Sequence, residues 1–287
     1  MRSRGTLKGK ICLVIGGTRG IGMAIVKGLY EDGNLIVLAG RSKIRALKAA
    51  KQISKQKHNL IPVVLDVTSD RQIKQAITKF INRFGKIDVL IVCAGLFKPF
   101  GPFESISFKE NLEPIEVNLI GTMRCVYYTI QYMKKQKFGR IILFSGGGIG
   151  GDMPLVNAAS YFTSKGSIAV FAEVLAPELA PFNVTINAVL PGQILTDSTR
   201  TMFNLSEEQL GPILSKATKT LKETGGNSTE QIVNLVKFLI SQKADNVSGR
   251  LLSAKWDRVE RITQKLSDEK YKLRRIEGRL YKRTERN

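Results

Sequence analysis

The sequence predicts an α/β chain: a doubly wound parallel sheet with helices on both faces, followed by a charged helical tail. Three observations predict it. Short apolar runs rich in Val, Ile and Leu alternate with longer stretches of helical periodicity. The runs show no polar alternation, as expected of strands covered on both faces. A glycine cluster falls between the first run and the first helical stretch. The strands are expected at 11–15, 35–39, 61–65, 89–92, 141–144 and 184–189, and the helices at 21–30, 43–55, 70–84, 115–135 and 160–179. In 70–84, Ile73, Ala76, Ile77, Phe80 and Ile81 recur at helical spacing opposite Arg71, Lys74, Lys79 and Arg83. Thr68 or Ser69 is placed to cap that helix and Gly85 to end it. The βαβα rhythm implies right-handed crossovers, and no repeat or low-complexity linker divides residues 1–254.

Composition narrows the function. The 287 residues carry a formal net charge of +21, with 43% hydrophobic residues, a globular balance. No apolar run approaches the roughly 20 residues of a membrane span. The basic start, Met1 to Gly5, is followed by no small-residue cleavage site, so a signal peptide is not expected. Cys12, Cys93 and Cys125 lack metal-ligand spacing and suit a reducing cytoplasm. With His58 as the one histidine, in a polar Lys-rich stretch, the sequence argues against a Ser-His-Asp hydrolase or a His-ligated zinc enzyme.

Gly16-Gly17-Thr18-Arg19-Gly20-Ile21-Gly22 ends the first strand and opens the first helix. Glycines there allow a tight turn and close approach of backbone to a pyrophosphate, and the helix N-terminus offers N–H donors to the anion. Tyr161-Phe162-Thr163-Ser164-Lys165 puts a phenol and an ammonium on one helical face. A neighbouring cation favours phenolate, which is expected to bring the tyrosine pKa toward neutrality. Together these motifs resemble the short-chain dehydrogenase/reductase family over about residues 6–254, in a divergent branch with a Ser-Gly-Gly-Gly turn, and so imply a single-domain Rossmann fold.

The resemblance implies a site. Tyr161 would protonate a substrate carbonyl as hydride arrives from a nicotinamide, Lys165 would hold the ribose hydroxyls, and Asn118 would anchor a water relay behind the lysine. A helix-interior asparagine satisfying backbone groups is the alternative for Asn118. The family normally carries a pair such as Ser-Ser after strand five, about a dozen residues before the tyrosine. Here Ser145 is followed by Gly146 and stands 16 residues before Tyr161. Ser145 is the candidate for polarising the carbonyl; a strand-end serine bonding the turn is its alternative. Cofactor contacts are expected from Gly16, Thr18, Arg19, Gly20, Ile21 and Gly22, from Asp66 and Val67 at the adenine, and from Ala94 and Gly95. Tyr161 and Lys165 contribute, as do Pro191, Gly192, Ile194 and Thr196 beside the carboxamide. Ile15 and Cys93 depart from the family's threonine and asparagine.

NADP(H) is expected over NAD(H). After the second strand, Arg41-Ser42 stands where NAD-binding folds commonly carry an acid, and no Asp or Glu lies between Asp32 and Asp66. Arg41 and Ser42 are the candidate 2′-phosphate contacts, with Arg19 as a second cation.

Candidate pocket walls are Leu96, Phe97, Phe100, Ile149, Met153, Met202 and Phe203. Residues 194–227, polar and punctuated by Gly211-Pro212 and Gly225-Gly226, suggest a mobile, partly helical flap. Residues 255–287 carry a stripe of Val259, Ile262, Leu266, Leu273, Ile276 and Leu280 that must bury itself on this chain or on another subunit. The leading reading is an NADPH-dependent enzyme interconverting a ketone and an alcohol, either like a 3-oxoacyl reductase or on a phosphorylated or sugar-nucleotide substrate. A homo-dimer or homo-tetramer is implied by the resemblance. A cofactor-binding sensor with little or no turnover is the second reading, and a nucleic-acid binder the third. The tail carries only +6 of the charge, while residues 33–65 carry +7 beside the expected 2′-phosphate site. That distribution favours phosphorylated small molecules over nucleic acid.

Overall fold

The computed structural model describes residues 9–54, 59–146 and 155–262. β1 (Ile11–Ile15), β2 (Leu35–Gly40), β3 (Leu60–Val64), β4 (Val89–Val92), β5 (Gly139–Phe144), β6 (Val184–Leu190) and β7 (Leu251–Ser253) form one sheet. Its order is β3-β2-β1-β4-β5-β6-β7, with every pairing parallel. β1 therefore sits between β2 and β4, where successive crossovers leave in opposite directions and a crevice opens at the strand ends.

Strand β1 shows why both faces must be covered. Cys12 and Val14 enter one core, shared with Ile25 of α1 (Gly20–Glu31), Ala46 of α2 (Lys43–Ile53) and, further along the chain, Ile232 and Val236. Leu13 and Ile15 enter the other, with Ile73 and Ile77 of α3 (Asp70–Phe84). Alternation sends successive side chains to opposite faces, so a continuous apolar run needs two cores. Ser69 caps α3 by accepting the Gln72 N–H, and Gly85 ends it at φ 81°.

The helix expected over 115–135 is interrupted. α4 (Phe108–Pro114) leads into a π turn over Ile115–Ile120, and only then does α5 (Gly121–Gln136) begin. Pro114 has no N–H to donate, and the wider turn that follows carries Asn118 inward. After β5, α6 (Ala159–Leu179) packs along β6. The expected flap is a partly helical excursion, as its sequence suggests. It holds α7 (Asp197–Arg200), a 3₁₀ turn and α8 (Glu207–Thr224), which kinks at Gly211. An antiparallel bridge between Ile194 and Gly226 closes its base.

α9 (Thr229–Leu239) and β7 lie in a stretch to which no element was assigned from sequence. A three-residue strand carries too little pattern, and side chains of β6 specify its place instead. Asn187, fully buried, donates to the Val247 carbonyl at 2.7 Å and accepts the Arg250 N–H at 3.1 Å. α10 (Val259–Ile262) is the described start of the expected tail helix, and there Ile262 is buried in the α1/α9 core of its own chain. Leu266, Leu273, Ile276 and Leu280 lie outside the described residues. No described helix is long and apolar enough to cross a membrane.

Replacing Asn187 with Ala strands a buried carbonyl and a buried N–H. The substitution is expected to lower the unfolding free energy by about 2 kcal/mol in urea titration, with β7 amides losing hydrogen-exchange protection first.

Candidate active site

A cleft of about 1330 Å³ opens at the C-terminal edge of the sheet. Its floor is the turn after β1 pressed against the loop after β4. The Cys93 and Ala94 N–H groups both donate to the Ile15 carbonyl. A Cβ on Gly16, at φ 85°, would stand 2.4 Å from the Ala94 nitrogen, and one on Gly22 would stand 2.3 Å from the Gly16 oxygen. Only glycine fits either position.

Helix α1 starts at Gly20 with no side chain capping it. By contrast, α2, α3, α4, α8 and α9 each begin on a serine that accepts a backbone N–H. The first-turn N–H groups of α1 thus face the cleft without a capping acceptor, as an anion-binding helix requires. These glycine contacts and this open helix end fit a dinucleotide pyrophosphate.

Every cofactor contact expected from sequence lines this one cleft. Some of their polar groups are already engaged. Ser42 caps α2, and Asp66 accepts both the N–H and the hydroxyl of Thr68. Thr196 caps α7 in a reciprocal box with Thr199. Arg19 reaches across to Asp197 on α7 at 3.6 Å, so the glycine turn and the excursion meet over the cleft. Arg41 and Arg45 are exposed at the end beyond β2, and neither forms an ion pair among the described residues. Arg45 was not singled out from sequence, because within a Lys/Arg-rich helix only its position in the first turn of α2 distinguishes it.

Tyr161 and Lys165 occupy the first turns of α6 and both line the cleft. Lys165 is buried and donates to the Phe144 carbonyl at 2.9 Å. Burial lowers its ammonium from an ordinary 10.5 to about 8. The Tyr161 ring packs on Phe97, with centroids 4.3 Å apart, and its hydroxyl makes no hydrogen bond among the described residues. Its pKa moves up, because burial is the cause that acts on it. The sequence-based expectation of a lowered tyrosine pKa is therefore reversed: the phenol holds its proton more firmly than a free tyrosine does. Burial also pushes the Cys93 thiol up, so it is no ready nucleophile.

Asn118 does not line the cleft. Fully buried, its amide accepts the Leu96 N–H at 2.7 Å and donates to the Leu96 carbonyl and the Ser164 hydroxyl, each at 3.0 Å. It stitches the loop after β4 to α6, which is the backbone-satisfying alternative. Ser145 extends β5 through its N–H to Val189. It is 2% exposed, and its hydroxyl donates to the Lys165 carbonyl at 2.7 Å. Ser160, next to the tyrosine, points away and donates to Asn111.

Leu96, Phe97 and Met202 line the cleft as expected, joined by Leu155, Phe162 and Leu214. Phe100 and Phe203 instead pack behind them against the apolar cluster of α8. Ile149 and Met153 lie outside the described residues.

The family profile described as short chain dehydrogenase matches residues 10–206. A 3-oxoacyl-[acyl-carrier-protein] reductase of Aquifex aeolicus is 35% identical over 247 residues, covering 86% of this chain and 96% of that protein. A short-chain reductase of Streptomyces niveus, NovJ, is 30% identical, covering 83% and 90%. Among solved structures, an actinorhodin polyketide ketoreductase variant crystallised with NADPH superposes with a TM-score of 0.74 at 25% identity, covering 86% and 96%. The crystal structure of gox2181 gives 0.76 at 27%, covering 86% and 94%.

The depressed Lys165 pKa has a consequence for stability. Between about pH 8 and 10.5 the unfolded chain keeps a proton that the folded chain has released. Stability contributed by this group therefore rises with pH across that window. Wild type is expected to gain stability relative to Lys165→Met between about pH 7.5 and 9.5, read from paired urea midpoints; parallel curves would refute the shift.

Proposed function

The chain belongs to the short chain dehydrogenase family, and on that premise we propose that it is an NADPH-dependent carbonyl reductase in which Tyr161 is the proton donor. One observation carries the proposal. The glycine turn, the buried Lys165 and the Tyr161 hydroxyl, which has no hydrogen-bond partner among the described residues, all face one cleft. When bound, a nicotinamide dinucleotide supplies the hydride that the carbonyl carbon accepts.

The protein's own groups do the rest. Tyr161, held protonated by burial, delivers its proton to the carbonyl oxygen as charge develops there. Lys165 is fixed one helical turn away, and its ammonium stabilises the phenolate left behind. Asn118 positions the Leu96 backbone and, through Ser164, the turn of α6 that carries the tyrosine. Phe97, Phe162 and Leu214 exclude water from the reacting end. Ser145, its hydroxyl committed to the Lys165 carbonyl, is left out of this chemistry.

Preference for NADPH rests on Arg41 and Arg45. Both are exposed on the cleft beyond β2, in a stretch of sequence between Asp32 and Asp66 that holds no Asp or Glu to repel a 2′-phosphate. Arg19 is assigned to the closing contact with Asp197 instead. The homo-oligomer implied by the family belongs to the same reading, with exposed Tyr127, Val170 and Val174 as apolar surface for a second copy to cover. The cofactor-binding sensor is the competing reading.

Tyr161→Phe is expected to cut kcat by about 10²- to 10⁴-fold while NADPH still binds; equal turnover in the two proteins would favour the sensor. Arg41→Ala should weaken NADPH binding by about 10- to 100-fold and leave NADH nearly unchanged, as read by fluorescence titration.

A further inference from the structure

Helix α6 begins without a cap of its own. Its N-cap is Ala158, whose side chain has no oxygen to offer the first turn. The first helical hydrogen bond runs from the Phe162 N–H to the Ala158 carbonyl at 3.0 Å, so Tyr161 sits one residue ahead of the ladder. A first turn of this kind frays unless a tertiary contact holds it. Here Asn111 of α4, itself buried, supplies one. Its amide oxygen accepts the Ser160 hydroxyl at 2.8 Å, and its amide nitrogen donates to the Phe103 and Ile106 carbonyls, each at 3.2 Å. Asn118 grips α6 one turn further along, through Ser164, whose hydroxyl donates on to the Tyr161 carbonyl at 2.6 Å. The tyrosine is thus bracketed by two serines, each held by an asparagine from the preceding helical segment.

Resting on the carbonyl-reductase reading above, we propose that Asn111 is a positioning residue for the reaction, acting through Ser160 on the aim of the Tyr161 phenol. Asn111 does not line the cleft, so its lever is the turn itself. The phenol must come within hydrogen-bond reach of a carbonyl oxygen, and a misplacement of about 1 Å costs about 10²-fold in rate. The other arm of the same amide ties that turn to residues 103–106. The loop leading there carries Phe97, whose ring packs on Tyr161. Lys165 has an anchor of its own in the Phe144 carbonyl. Loosening the first turn therefore displaces the proton donor and spares the cofactor end. An amide suits this task because two carbonyls need N–H donors while the serine hydroxyl needs an acceptor; a carboxylate would serve only the serine.

The test uses the full chain, NADPH and ethyl acetoacetate, a 3-oxoacyl ester, as the probe. Asn111→Ala is expected to lower kcat by about 30- to 100-fold, with KM for the ester and Kd for NADPH within about threefold of wild type. Ser160→Ala cuts only the α6 arm and leaves the Phe103 and Ile106 carbonyls paired, so it should lose about 10-fold in kcat. Joined in one protein, the two substitutions should cost no more than about twofold beyond Asn111→Ala alone, since both remove one contact. Hydrogen exchange gives a readout free of substrate. Amides of residues 159–163 should exchange at least about 10-fold faster in either variant, while those of β6 keep wild-type rates. If Asn111→Ala does not fold, Ser160→Ala carries the same two readings. Three results would overturn the inference: kcat within about twofold of wild type in folded Ser160→Ala, losses that multiply in the double variant, or unchanged exchange over 159–163. Each leaves the carbonyl-reductase reading standing if Tyr161→Phe still abolishes turnover. A wild-type protein that binds NADPH and reduces no ketone would instead overturn the reductase reading, and exchange over 159–163 would still decide whether Asn111 holds the turn.

Discussion

The working end of this molecule depends on a contact between two stretches of backbone that leaves no room for a side chain. The turn after β1 lies against the loop after β4 so closely that a Cβ on Gly16 would strike the Ala94 nitrogen. The sheet order makes the contact unavoidable, since β1 is flanked by β2 and β4 and both loops emerge at the same edge. Because the turn is this tight, α1 can begin over the crevice with Gly22 against the Gly16 carbonyl and its first N–H groups uncapped. A bulkier residue at either glycine would lift α1 from the sheet and widen the floor on which Ala94, Gly95 and Leu96 rest. The cleft, the open helix end and the path toward Lys165 all follow from that one absence of a side chain.

A second constraint is the burial of polar groups that are already satisfied. Asn118, Ser145, Ser160 and Ser164 are buried, and each spends its hydrogen bonds on neighbouring protein groups. Lys165 is buried too and anchored to the Phe144 carbonyl, at the cost of a depressed pKa. Such a network is rigid, because releasing any member leaves a buried donor or acceptor without a partner. Tyr161 differs: among the described residues its hydroxyl has no hydrogen-bond partner, and it lies beside Gly146.

Much of the fold was legible from residues alone. β1, β4 and α3 fall at the residues their apolar periods predict, and the other expected strands and helices, the one over 115–135 apart, are displaced by a residue or two at their ends. Local chemistry writes these elements: apolar period, serine caps, glycine stops. The long helix after Pro114 was not legible in this way, because a π turn preserves helical periodicity while changing which residue points inward. β7 and α9 were missed because the strand is too short to show a pattern and is held by Asn187 on a distant strand. The excursion over 194–227 reads from its composition as a partly helical flap, and it holds helices whose apolar side chains converge on Phe97, Tyr161 and Phe162; which residues they meet is not written in that composition.

By itself, the sequence determined the doubly wound sheet, the glycine turn, the Tyr161–Lys165 pair and the absence of acid beyond β2. Each is a matter of residue type at short spacing, where sterics and helical geometry act locally. Only the tertiary structure decided what those residues face. Adjacent positions in a strand differ by half a turn, so Ser145 and Gly146 cannot be assigned to wall or cleft until β6 and α6 are packed beside them. Packing likewise sends Arg19 to Asp197, buries the phenol that a neighbouring cation alone would acidify, and leaves Arg41 and Arg45 open to an anion. Direction and solvation are set by neighbours distant in sequence, which spacing along the chain does not record.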